Sequence, residues 1–341
     1  APHLMIYIPS TLFVLMSFGV LAFDTLASWR RPMPPGCRRV LGITGPPGFM
    51  LAAAGITLAV LGIPADDLWH RLFGPDATVW SPPHLMGFIG AVANTAACWV
   101  IAREVYPSGS RARAVAMALT GIVLYLHVLP LQNALIRVGF TRGGIQFYGY
   151  AVFGPLLYGT VLLATTRLLG VRAIPLVVAV AAALTEQVGL WVSQIGFAIV
   201  QPEFSALPEE IARDAMTSLG ALNVIAMREG TTPGRLGDIM RWPMLVPVVA
   251  MVLVDVRRRP VAAMLAYGAV LFAAVAVALH GRPAFQPSEP GLPVTVIAFV
   301  LTLAASVASA VLTQRLVAGL QRSSGTAEET PGAAVAPAAT R

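Results

Sequence analysis

The sequence predicts an all-α, polytopic transmembrane helix bundle of about nine spans, with its N-terminus outside and its C-terminus cytoplasmic. Three observations lead there. Of the 341 residues, 57% are hydrophobic and only 11% charged, too little polar chemistry to cover a soluble fold of this size. Runs of about 20 apolar residues, the length a bilayer core demands of a helix, recur along the chain. The arginines fall unevenly on the two sides of those runs, as positively charged residues do in membrane proteins.

The runs fall near residues 5–23, 46–64, 84–103, 114–131, 147–168, 173–200, 242–256, 261–280 and 292–314. The first is read as a span, because Arg30, Arg31, Arg38 and Arg39 follow it, where a signal peptide carries its charge ahead. Alternation then sorts the connections. One side collects fifteen of the 23 arginines against five acids, and the other collects eight arginines against ten acids, so the first is assigned to the cytoplasm. All of the positive charge is arginine, and its placement speaks for membrane sidedness and against nucleic acid as a partner. The expected setting is the inner cell membrane, with the lipid bilayer as the first partner and other membrane subunits as further ones.

Residues 1–320 read as one transmembrane domain carrying two external segments, 65–83 and 201–241. In the second, Arg213 and Asp214 leave too short an apolar run for a tenth span, and residues 207–227 suit an amphipathic helix on the membrane or over the helix mouths. Residues 321–341, small and rich in Ala and Pro, read as a disordered cytoplasmic tail. Cys37 and Cys98 are too few for a disulfide framework or a zinc ribbon.

This topology sends all five histidines, His3, His70, His84, His127 and His280, to the outer ends of elements. Interfacial tolerance explains why they avoid the hydrocarbon. A shared external metal site explains in addition why none lies at an inner end, since imidazole is the commonest metal ligand.

The densest chemistry is DDLWHRLFGPDATVWSPPH, Asp66 to His84. Asp66 and His70 stand four apart on one helical face; they can share an ion, or serve as a helix-end surface pair. Gly74-Pro75 stops that helix. Ser81 can cap the next one, Pro82 and Pro83 occupy first-turn positions, and His84 follows. Asp67 and Asp76 read as outer or surface residues. Below His84, the stripe Gly87, Ala91, Asn94 and Cys98 invites close approach of another helix.

Asp66-x3-His70, then Asp76, prolines and His84 at the head of a transmembrane helix, resembles the Asp-x3-His…His metal motif in the C subunit of the copper membrane monooxygenases, the particulate methane and ammonia monooxygenase family. The resemblance covers the segment from Asp66 to His84. The interval between its histidines is one residue longer here, and Gly74-Pro75 interrupts it. It implies a metal held by Asp66, His70 and His84 in an oxygenase-like enzyme or a subunit of one. The outward histidines suggest copper or zinc, with His127 as a fourth ligand.

Two other readings stay open. Glu186, beside Gln187 in the sixth span, is an ionisable group in hydrocarbon, which suits either a hydrogen-bonded structural acid or a proton carrier in a transporter or redox protein. Alternatively, Trp69, Phe73 and Trp80 make the external segment a docking surface of a non-catalytic subunit. The sequence lacks an H-E-x-x-H, a P-loop and a C-x-x-C-H haem attachment.

Overall fold

The computed structural model describes residues 4–74, 81–200 and 218–328. It is an all-α bundle, and among the described residues nine helical runs are long and apolar enough to cross a membrane. The chain is an integral, multi-pass membrane protein.

Helix α1 (Leu4–Ala27) is followed by a short hairpin, β1 (Arg38–Val40) and β2 (Ile43–Gly45), then by α2 (Pro47–Phe73), α3 (Pro82–Val105) and α4 (Arg111–Val128). Helix α5 (Pro130–Arg142) follows α4 directly. The fifth span starts with a 3-10 turn at Gly144–Tyr148. It continues through α6 (Gly149–Gly154), a π turn at Pro155–Gly159 and α7 (Thr160–Leu169). Next come α8 (Ile174–Val200), α9 (Ser218–Arg228), a 3-10 segment (Pro233–Met240), α10 (Arg241–Leu253), α11 (Pro260–Leu279) and α12 (Leu292–Glu328).

Three details differ from the sequence reading. A two-stranded hairpin precedes α2, tied to α1 where the Thr44 N–H donates to Thr25 Oγ1 at 2.9 Å. The fourth run, expected over residues 114–131, ends as α4 at Val128, and Pro130 starts a separate helix, α5, because a proline suits the first turn of a helix and not its interior. Helix α12 runs on to Glu328, so the tail expected from residue 321 is helical up to that point; residues 329–341 lie outside the described residues. Of the amphipathic helix read over residues 207–227, the described part is α9, which packs against the 3-10 segment and α5 with Ala221 and Ile225 buried. Residues 201–217 lie outside the described residues.

The core lies among the fifth span, α4, α8, α10, α11 and α12, around Tyr125, Tyr148, Tyr150, Tyr158 and Tyr267. Helices α2 and α3 form an antiparallel pair that packs onto it through α4. Their contact is nearly backbone to backbone. A Cβ on Gly90 would sit 2.4 Å from Ala59 N, and one on Gly55 would sit 2.5 Å from Asn94 N. Asn94 Nδ2 crosses the seam to donate to Ala52 O at 2.9 Å. Part of the small-residue stripe read on α3, Gly87 and Asn94, therefore lines this seam, as Gly62 lies against Pro83 and Gly87.

At the arginine-rich end, arginines hold carbonyls at helix ends and in the turns that follow them, which have no partner within a helix. Arg172 donates to Val252 O and Leu253 O, Arg167 to Arg257 O, and Arg257 to Gly170 O. Asp255, at φ 52, clamps Arg257 with both carboxylate oxygens at 2.9 Å.

That clamp holds the Asp255 carboxyl down to about 2, chiefly through the Arg257 hydrogen bonds. Its stabilising contribution is therefore complete at neutral pH and fades as acid protonates the carboxylate. Asp255→Asn is expected to lower thermal stability at pH 7 and to flatten the loss of stability on acidification toward pH 2, read by thermal melts across pH. At the α2–α3 seam, Gly90→Val is expected to cost about 1 to 3 kcal/mol, as overpacking does, with a lowered melting temperature as the readout.

Candidate metal centre

The α2–α3 seam determines where the outer ends of these two helices meet. Gly62 packs against the first turn of α3, and Asp66 follows it by one turn on α2. Its carboxylate faces both histidines: Oδ2 lies 3.3 Å from His70 Nε2, and Oδ1 lies 3.4 Å from His84 Nε2. The two imidazole rings stand 6.3 Å apart, centroid to centroid, at 66°. One donor atom from each of Asp66, His70 and His84 falls within 4.8 Å of the other two.

The far side of each ring is held as well. Helix α2 ends at Gly74, whose φ of 83 is open to glycine and strained for other residues. That ending turns the Gly74 carbonyl toward His70 Nδ1, at 3.1 Å. A carbonyl only accepts, so Nδ1 carries the proton, and in the neutral ring Nε2 offers its lone pair to the side where Asp66 lies. On α3, Ser81 does not cap the helix with its side chain. Its buried Oγ turns to His84 Nδ1 at 2.8 Å, which corrects the capping role read from the sequence. Pro82 and Pro83 need no N–H acceptor at the first helical positions, so the serine is free for the histidine.

The Asp66 carboxylate thus stands between two imidazoles whose Nδ1 atoms are engaged on the far side. Asp66 Oδ1 is sealed from solvent and receives no hydrogen bond, an unfavourable position for a carboxylate oxygen unless a cation or proton comes to it. The three side chains are each about one-third exposed, so the centre has an approach from outside.

The dimensions fit a small transition-metal ion. A tetrahedral ion with bonds of about 2.0 to 2.1 Å separates its ligand atoms by roughly 3.4 Å; each Nε2 lies that far from one of the two Asp66 oxygens, and a set of one atom from each residue lies within 4.8 Å. Three protein ligands leave further positions open, as in catalytic rather than closed structural sites.

The other residues singled out from the sequence lie elsewhere. His127 is outside this cluster: its Nδ1 meets Val123 O at 2.8 Å within its own helix. Helix α4 packs against α3, α7 and α8, and α3 stands between it and the end of α2. Asp67 pairs with Arg71 at the surface, 2.8 Å apart. His3, Asp76 and Trp80 lie outside the described residues. Glu186 lies half-buried on α8, within the sixth span. His280 belongs to a second cluster, with Tyr148 and Glu289.

Sequence reasoning missed the Gly74 carbonyl as an orienting group for His70, although its spacing, four residues on at a helix end, is visible in the chain. The Tyr148–His280 contact joins residues 132 apart and leaves no local signal. Comparison with protein families, with curated proteins and with solved structures finds no match for this chain.

His70 in the metal-free protein at alkaline pH is expected to be the Nδ1–H tautomer, and ¹⁵N-edited imidazole NMR reports this directly. A dominant Nε2–H form would contradict the geometry above.

Proposed function

We propose that this integral membrane protein is a metalloprotein in which Asp66, His70 and His84 bind a copper or zinc ion at its outward-facing end, acting as an oxygenase-like enzyme or a subunit of one. The observation that carries the reading is the convergence of a buried, unbonded carboxylate oxygen and two imidazole Nε2 atoms whose opposite ring nitrogens are held from behind. Orientation of ligand histidines by such outer contacts is a general property of metal sites. A bound ion would supply Lewis acidity and an open coordination position for a small ligand. The chain's own part is to keep both rings aimed and to leave one side accessible. The outward assignment rests on the arginine asymmetry, and the oxygenase-like character rests on the motif resemblance alone.

Elemental analysis of the purified protein tests the proposal. About one copper or zinc per chain is expected, falling to background in Asp66→Asn and in the double variant His70→Ala, His84→Ala with helicity retained by circular dichroism. Metal absent from the parent protein, or unchanged in the variants, would sink it. Two imidazoles and one carboxylate also suit iron(II), which the same measurement distinguishes. Ser81→Ala is expected to weaken metal affinity by about 10- to 100-fold, the usual cost of losing an orienting contact, measured by chelator competition. Because the ligands bind deprotonated, acidification should release the ion.

One observation favours a second reading, proton-coupled transport: Glu186 is an ionisable group within the apolar span Ile174–Gly196. On that reading Glu186→Gln abolishes proton-linked uptake in proteoliposomes, while His70→Ala leaves it intact.

A further inference from the structure

The second cluster at the histidine-bearing end joins three spans. His280 follows the last residue of α11, Tyr148 closes the 3-10 turn that opens the fifth span, and Thr295 lies in the first turn of α12. Tyr148 Oη lies 2.6 Å from His280 Nε2 and 3.1 Å from Thr295 Oγ1. Behind the imidazole, Glu289 Oε2 stands 3.5 Å from Nδ1, while its Oε1 accepts the Gly281 N–H at 2.6 Å. The carboxylate favours a proton on Nδ1, leaving Nε2 as the acceptor of the phenol. The neighbouring charges are engaged elsewhere, since Arg282 pairs with Glu229 at 2.9 Å.

The chain of groups does not continue inward. Thr295 Oγ1 also donates to Gly291 O, and the Tyr148 ring is stacked on Phe272 at 4.7 Å, with Phe147 at 5.0 Å on another side. Among the described residues the hydrogen bonds lead no further inward from Tyr148, so the arrangement is unsuited to conduction across the bundle. It suits a reaction in which the phenol gives up its proton locally and takes it back. The Tyr148 side chain is fully buried, which shields a reactive oxygen from water. Among the described residues, the hydrogen bonds set only Tyr148 of the tyrosines against an imidazole; Tyr158, by contrast, donates to Val128 O.

We propose that Tyr148 is a redox-active tyrosine, with His280 as the base for its proton and Glu289 as a positioning residue. A one-electron metal oxidant takes an electron from the phenol. The O–H bond breaks as its proton forms the N–H bond at His280 Nε2, giving a neutral phenoxyl radical beside an imidazolium that Glu289 steadies. One-electron reduction of the radical returns the proton to oxygen. This inference stands apart from the metal centre and survives its failure.

Flash-generated ruthenium(III) tris-bipyridine, added to the full chain in nanodiscs with the exposed Tyr106 replaced by Phe, tests it. A phenoxyl radical seen by electron paramagnetic resonance should disappear in Tyr148→Phe, which keeps the ring and its packing. In His280→Gln its formation should slow by about a hundredfold, the scale of assistance by a positioned base, and the solvent deuterium isotope effect should vanish. A radical of unchanged yield in Tyr148→Phe overturns the proposal. So does a rate indifferent to His280→Gln, the outcome expected if the bond only braces the fold and its loss lowers the melting temperature alone.

Discussion

In hydrocarbon, a backbone N–H or C=O without a partner costs several kcal/mol, and much of the chemistry in this protein sits where that constraint is hardest to meet, at helix ends. Glu104 of α3 accepts the Gly48 N–H at the head of α2, which has no side-chain cap of its own. Glu229 takes the Ala284 N–H and Glu289 the Gly281 N–H in the outer loop after α11. Arginines satisfy the final carbonyls at the opposite end. The carbonyl that orients His70 lies just past the end of α2. Satisfying the backbone and aiming the reactive side chains are, at these positions, one arrangement.

The two histidine clusters differ in how complete they are. At His280 the donors and acceptors match, with a phenol to give, an imidazole to receive and a carboxylate behind. Around Asp66 a carboxylate stands between two Nε2 atoms, and the buried Asp66 Oδ1 makes no hydrogen bond. The first cluster is stable as it stands and suits a reversible proton shift. The second brings three potential ligand atoms within 4.8 Å of one another. Similar residue types thus support different chemistry because hydrogen-bond polarity, more than composition, decides what each can hold.

Much of the candidate centre could be read from the chain because its parts are local. Asp66 and His70 are one helical turn apart, Gly74 ends the same helix, and Ser81 and His84 share the first turn of α3. What the chain did not reveal was the direction of the Ser81 hydroxyl, since a serine ahead of two prolines reads equally as a cap. His127 shared the outer side with the other histidines, but sidedness places a residue at one end of the bundle without saying which neighbour it meets. The interposed α3 decided that.

By itself, the sequence determined the spans and their alternation, because bilayer thickness sets helix length and the cost of burying charge keeps arginine out of the hydrocarbon. It also determined that Asp66, His70 and His84 lie at the same end, through the short loop between α2 and α3. Only the tertiary structure decided that α2 and α3 touch along Gly55, Gly90 and Asn94 closely enough to bring the Asp66 carboxylate against both imidazoles. It alone brought Tyr148 onto His280. The physical reason is that helix length follows from local hydropathy, whereas the pairing and depth of helices follow from the fit of surfaces distant in the chain.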